Sequence, residues 1–204
     1  MEIIHYKELL SAVAIAVTFA AYYPYLRSIL RDEVKPHVFS WIIWATTTCL
    51  VFFAQVASHG GVGAWPVGLS GCIALFVAVT AYIRRSDLRI GRTDWLFFFA
   101  ALSALPFWYF SSDPLWAVVI LTAVDVLGFG PTVRKSYYQP HSESALFFSM
   151  FSLRDICVLF ALENYSLATV LFPAAIGSSC LVLAAMILLR RKVVPCDFGT
   201  HENE

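Results

Sequence analysis

Apolar residues in this chain fall into long unbroken runs rather than alternating patterns, and short polar breaks separate the runs. With those breaks as boundaries, the pattern predicts helices over 9–30, 38–58, 62–83, 95–110, 114–133, 144–162 and 165–189. Most approach the ~20 residues that cross a ~30 Å hydrocarbon core. The fourth run, LFFFAALSALPFWYF, is the shortest. The expected fold is an all-α membrane protein with seven transmembrane helices and almost nothing left over for a soluble domain. Composition points the same way: the 204 residues are 59% hydrophobic and 14% charged, whereas soluble domains carry about 25% charged residues. The first run reads as a retained helix. Only Lys7 precedes it, against Glu2 and Glu8, and it is longer than the apolar core of a signal peptide.

The basic residues then orient the spans. Arg27, Arg31 and Lys35 lie between the first two helices, and Arg84, Arg85, Arg89 and Arg92 follow the third. Arg134 and Lys135 follow the fifth, and Arg190, Arg191 and Lys192 close the seventh, whereas HGGV, SSDP and ENY on the other side carry no base. Only Lys7 and Arg154 depart from this division. The positive-inside rule makes the basic side cytoplasmic, so the N-terminus is expected outside and the C-terminus inside, in a plasma or inner membrane. Trp65, Trp108 and Trp116 at outer ends and Trp95, Tyr137 and Tyr138 at inner ends read as aromatic belts.

Self-comparison exposes a duplication. One shift of 107 residues (131 − 24) places Pro24 on Pro131, Arg27 on Arg134, Val51 on Val158, Pro66 on Pro173 and Arg84 on Arg191. Helices one to three thus map onto five to seven, and the fourth returns the chain to the side where the second copy starts. The predicted units are residues 1–93, a linker helix at 94–112, residues 113–192 and a tail at 193–204: two parallel three-helix bundles joined by a linker helix. The pairs Pro36-His37 and Pro140-His141 differ by 104 (140 − 36), which leaves the register of helix two against helix six open by three residues.

In each copy a helix ending near a proline leads into a short basic loop and then a serine opening the next helix: PYLRSILRDEVKPHVFSW and PTVRKSYYQPHSESALFFS. With the 3+1+3 layout, this resembles the SWEET and PQ-loop (MtN3-like) superfamily over nearly the full length, with Tyr25 and Thr132 where the family often has glutamine. The resemblance implies a membrane transporter or facilitator of a small polar solute working by alternating access. The solute would be a sugar, an amino acid or a vitamin-like heterocycle. Pro24 and Pro131 would serve as hinges, the alternative being static kinks. The family places a polar residue in the third helix of each unit, for which Ser70 and Ser178 are the nearest substitutes here. A second function is a seven-helix ligand-binding receptor or sorting protein of the KDEL-receptor type, which binds without transport.

Three charges lie far from either surface. At 1.5 Å per residue, Asp125 is about 14 Å from the boundary set by Arg134, and Arg154 and Asp155 are about 15 Å into helix six. Ionised groups at that depth are costly unless paired or wet, so they should face the bundle interior. Arg154 and Asp155 point about 100° apart on a helix and should not satisfy each other fully. The expected partner of Arg154 is therefore Asp125, with Asp155 lining the same cavity or bonded between helices. The trio is either a structural clamp or a solute or coupled-proton site. At the 107 shift Thr18, Thr47 and Thr48 stand opposite Asp125, Arg154 and Asp155. Trp41 and Trp44 share one helix face, as do Phe148 and Phe151. Trp41 is read as a belt residue, Trp44 as a wall or gate for the solute, and His37 and His141 as solvated loop residues.

Other chemistries find no support in the residues. No span holds a lysine for a retinal Schiff base, or a histidine for a catalytic pair. The five cysteines show no C-x-x-C spacing, so no metal, cofactor or enzymatic centre is expected. A net charge of zero speaks against nucleic acid. The candidate partners are the lipid bilayer, a small solute, protons and a second copy of the chain.

Overall fold

The computed structural model describes residues 2–31, 38–84, 92–138, 140–142 and 144–194. Lys35, His37, Arg85, Arg89 and the tail from 195 with Cys196 lie outside the described residues, and only the backbone of Pro131, Arg134 and Lys135 is described. The α-helices are α1 (Glu2–Leu30), α2 (Val38–Ala57), α3 (Trp65–Ile83), α4 (Arg92–Ser111), α5 (Pro114–Tyr138), α6 (Ala145–Ala161) and α7 (Leu167–Arg191). Short 3-10 turns cover Gly61–Ala64 and Pro140–Ser142, and the described residues contain no strand.

Local chemistry explains the breaks. Between α2 and α3 the backbone turns through His59 at φ 57° and Gly61 at φ 63°, and Ser112 at φ 53° divides α4 from α5. Asp113 then accepts from Leu115 N at 2.9 Å, capping a helix whose first residue is Pro114. Ser144 caps α6 by accepting from Phe147 N at 3.2 Å. The helices differ from the hydropathy pattern mainly in length. α1 begins at Glu2 and α5 continues to Tyr138, while α6, with 17 residues, is shorter than the 20-residue α4. A helical hydrogen-bond ladder runs on through polar residues that end an apolar run.

Contacts at the helix termini define the direction of each helix. At one end Lys7 Nζ donates to the Leu162 carbonyl at 2.6 Å, Glu163 N to Gly60 O at 3.1 Å, and Asn164 Nδ2 to Ser58 O at 2.9 Å. This Lys7 end therefore gathers the start of α1 and the α2–α3 and α6–α7 connections. At the opposite, arginine-bearing end Tyr25 packs on Trp41 at 5.3 Å and Phe39 on Trp95 at 5.1 Å, while Arg190 Nε donates to Tyr137 O at 3.0 Å. The helices run alternately between these ends.

The helix contacts also repeat. α3 packs on both α1 and α2, and α7 packs on both α5 and α6. The two sets meet through α1 against α6 and α2 against α5, and α4 lies on α5 and α2. α1 and α5, α2 and α6, and α3 and α7 thus occupy corresponding places.

Every helix also presents large apolar side chains outward, among them Phe19, Phe53, Phe76, Phe99, Leu127, Leu146 and Val182. Water-facing helices avoid such surfaces. Three stretches, His5–Arg27, Gly61–Ile83 and Leu167–Arg191, are long and apolar enough to cross a membrane, and Trp41–Ala57, Phe98–Ser111 and Pro114–Phe129 are shorter apolar helices. The chain is an all-helical protein compatible with a membrane setting.

Candidate functional site

Polar side chains meet in the interior where α1, α2, α5 and α6 come together. Asp155 on α6 is fully buried because α7 approaches it at Gly177, where a Cβ would stand 2.8 Å from the Asp155 Cβ. Arg154, only 3% exposed, lays its guanidinium 5.1 Å from the Phe151 ring centroid. Its Nη1 lies 2.9 Å from Asp155 Oδ1. The expected Asp125–Arg154 pair is thus replaced by an Arg154–Asp155 pair. The long guanidinium arm can curl back to the next residue, but the two side chains leave the helix in divergent directions. Their contact is close without hydrogen-bond alignment: Arg154 Nε and Nη1 and both Asp155 oxygens have no hydrogen-bond partner. The expectation that these neighbours would satisfy each other only in part is met.

Asp125 on α5 instead faces α2. Its carboxylate lies beside the Thr47 hydroxyl, which gives its one proton to the Trp44 carbonyl at 3.0 Å. Asp125 Oδ1 is left without a hydrogen-bond partner, as is the Thr122 hydroxyl one turn earlier on α5. Tyr22 on α1 lies within electrostatic reach of Asp125, Arg154 and Asp155 and joins the three helices at this point. Its ring packs edge-on against Phe151 at 5.3 Å and Phe147 at 6.2 Å. The helical spacing of Phe148 and Phe151 did not reveal Tyr22, because that contact spans two helices far apart in sequence.

The remaining expected residues divide. Thr47 is fully buried at the cluster. Trp44, 38% exposed, sits over α5, with its Nε1 3.8 Å from where a Cβ on Gly128 would be. Trp41 is not a surface belt residue: it is 7% exposed and packs on Tyr22, Tyr25 and Trp44. Phe148 turns away from the cluster to pack with Phe129, Leu183 and Ile187. Ser70 is buried on α3 with its hydroxyl unpartnered, and no described hydrogen bond joins it to the cluster. Ser178 is exposed, because Gly177 takes the inward position and the next residue rotates by about 100°. α1 continues through Pro24, which is exposed, and the α5 backbone stays helical through Pro131. His141 bonds the Val194 carbonyl at 3.0 Å in an exposed position.

The structure also fixes a register that the sequence left open. Gly71 on α3 meets Cys49 on α2, where a Cβ would stand 2.7 Å from the sulfur, just as Gly177 on α7 meets Asp155 on α6. Both the glycines (177 − 71) and their partners (155 − 49) differ by 106. At this crossing Cys49 stands where Asp155 stands, so Thr48 corresponds to Arg154, one residue off the 107 shift.

A second polar group lies at the Lys7 end. Gln55, fully buried, donates from Nε2 to the Thr169 carbonyl at 2.9 Å, and Glu163 accepts from Val62 N at 3.1 Å. Gly63 lets the Gly61–Ala64 turn approach the α6 terminus, since a Cβ there would be 2.7 Å from Leu162 N. These bonds, with those of Lys7 and Asn164, all join the first three helices to the last three. Gln55 is the part that an apolar run could have flagged; the rest depends on two connections meeting in space. The chain matches no known family model, and no curated protein or solved structure matches it.

Proposed function

We propose that the chain is a seven-span membrane transporter or facilitator that carries a small polar solute by alternating access between two three-helix units. One observation carries this reading: a buried group of charged and hydroxyl side chains, several without hydrogen-bond partners, sits where both halves of the repeat meet. Burying such groups is costly in any interior and more so in lipid. A fold that only needed stability would do better with apolar side chains of similar volume. Polar atoms left open at a contact between two units suit a solute that is bound there and released when the units rock apart.

Several further observations support the arrangement. The paired contacts of α1 with α6 and α2 with α5 match a parallel repeat, and the basic residues gather at one end, which the positive-inside rule makes cytoplasmic. The hydrogen bonds at the Lys7 end suit a closed outer side, and aromatic contacts of Tyr22 with Phe147 and Phe151 suit an inner gate. The resemblance to the SWEET and PQ-loop superfamily in layout and loop pattern agrees with this function.

Proteoliposomes reconstituted with the full chain, tested for uptake of labelled sugars, amino acids and vitamins, should show saturable flux of at least one solute. Asp155→Asn should abolish that flux while the variant remains folded. Saturable binding with no flux under any gradient would instead make the chain a receptor.

A further inference from the structure

The interior charges of the cluster do not balance. Asp125 and Asp155 contribute two negative charges and Arg154 one positive, which leaves one negative charge when both carboxylates are ionised. Arg154 stands on Asp155 at 2.9 Å. Asp125, 7% exposed, is left with a threonine hydroxyl whose proton is already given to a carbonyl, and its Oδ1 has no partner. An uncompensated charge at such a place draws a cation.

The surroundings specify which kind. Thr47 and Trp44 lie one turn apart on α2, and Asp125 and Gly128 one turn apart on α5, so Trp44 stands over Gly128 as Thr47 stands by Asp125. Gly128 leaves space there: the side chain nearest to a built Cβ is the Trp44 indole, at 3.8 Å. A carboxylate with a free oxygen, a neighbouring gap and an indole at the edge of that gap form a receptor for a charged nitrogen carried on an organic body. Aromatic rings hold such cations through the ring quadrupole.

We infer that the solute site between α2 and α5 takes an organic cation, its charged nitrogen on Asp125 and its body in the gap between Trp44 and Gly128. This deepens the transport reading and rests on it. Arg154 and Asp155 then form the neighbouring wall, with their own charges already balanced.

The test uses the full chain in nanodiscs and compares benzylammonium, benzyl alcohol and benzoate at constant ionic strength, by calorimetry and thermal shift. Benzylammonium should bind saturably and at least tenfold more tightly than the other two. Asp125→Asn should weaken it at least tenfold, and Trp44→Leu by about three- to thirtyfold. Gly128→Leu, which fills the gap without touching a charge, should weaken it at least tenfold and keeps the test decisive if Asp125→Asn fails to fold. Equal binding of benzyl alcohol, absence of saturable benzylammonium binding, or unchanged affinity in Gly128→Leu overturns the assignment. Sodium ions alone giving the same thermal shift and displacing benzylammonium would make the occupant an inorganic cation, which also overturns it. A neutral solute still carried in the uptake assay would leave the transport reading standing without this one.

Discussion

Gly61 offers the sharpest test of how the two halves are fastened together. It holds φ at +63°, and a Cβ built on it would occupy the space of the Glu163 side chain, whose carboxylate accepts from Val62 N at 3.1 Å. Gly61→Ala therefore has two separable costs. The left-handed backbone costs an L-residue about 1–2 kcal/mol. Displacement of Glu163 removes a hydrogen bond worth about 1 kcal/mol, taken at the low end because Glu163 is exposed. The expected loss is about 2–3 kcal/mol for Gly61→Ala and about 1 kcal/mol for Glu163→Ala. In the double variant the bond can be lost only once, so its cost should equal that of Gly61→Ala alone, a coupling of about 1 kcal/mol. Reversible unfolding of the four proteins in mixed micelles, followed by tryptophan fluorescence and circular dichroism, supplies the cycle. Additivity within about 0.5 kcal/mol would refute the claim that Gly61 is glycine partly to seat Glu163.

Other consequences can be checked in the same unfolding assay. Arg154→Met should destabilise by about 3 kcal/mol because it leaves Asp155 charged, buried and unpaired, while Arg154→Met combined with Asp155→Leu should recover most of that loss; equal losses in both would mean that the pair is not an electrostatic unit. Gly177→Ala should cost about 1–3 kcal/mol through contact with Asp155, whereas Gly128→Ala, with room available, should be neutral or gain up to about 1 kcal/mol from helix propensity. Gln55→Leu should cost about 1 kcal/mol by leaving the Thr169 carbonyl without its donor; an unchanged midpoint would remove that bond from the account. Single cysteines placed at Ser58 and at Lys192 in a chain lacking its native cysteines should react with an impermeant maleimide from opposite sides of the membrane, and labelling of both from one side would disprove the alternating course of the helices.

Helix existence was legible because a long apolar run leaves the backbone few alternatives to a helix, and short polar breaks mark where it must turn. The corresponding prolines and arginines exposed the duplication for the same reason: loop and helix-end residues are tied to position along the chain. The interior placement of Asp125, Arg154 and Asp155 also followed from sequence, since charges within apolar runs must turn inward. Their pairing did not. Whether Arg154 reaches Asp125 or curls onto Asp155 depends on the separation of α5 from α6, and both helices pack on α7. Burial of Trp41, exposure of Ser178 and the 106-residue register at Cys49 and Asp155 were likewise set by how closely glycines allow α3 and α7 to approach their neighbours. A run of side chains states what must be buried; only the packed helices state against what, because a rotation of one residue, about 100°, moves a side chain from one neighbour to another.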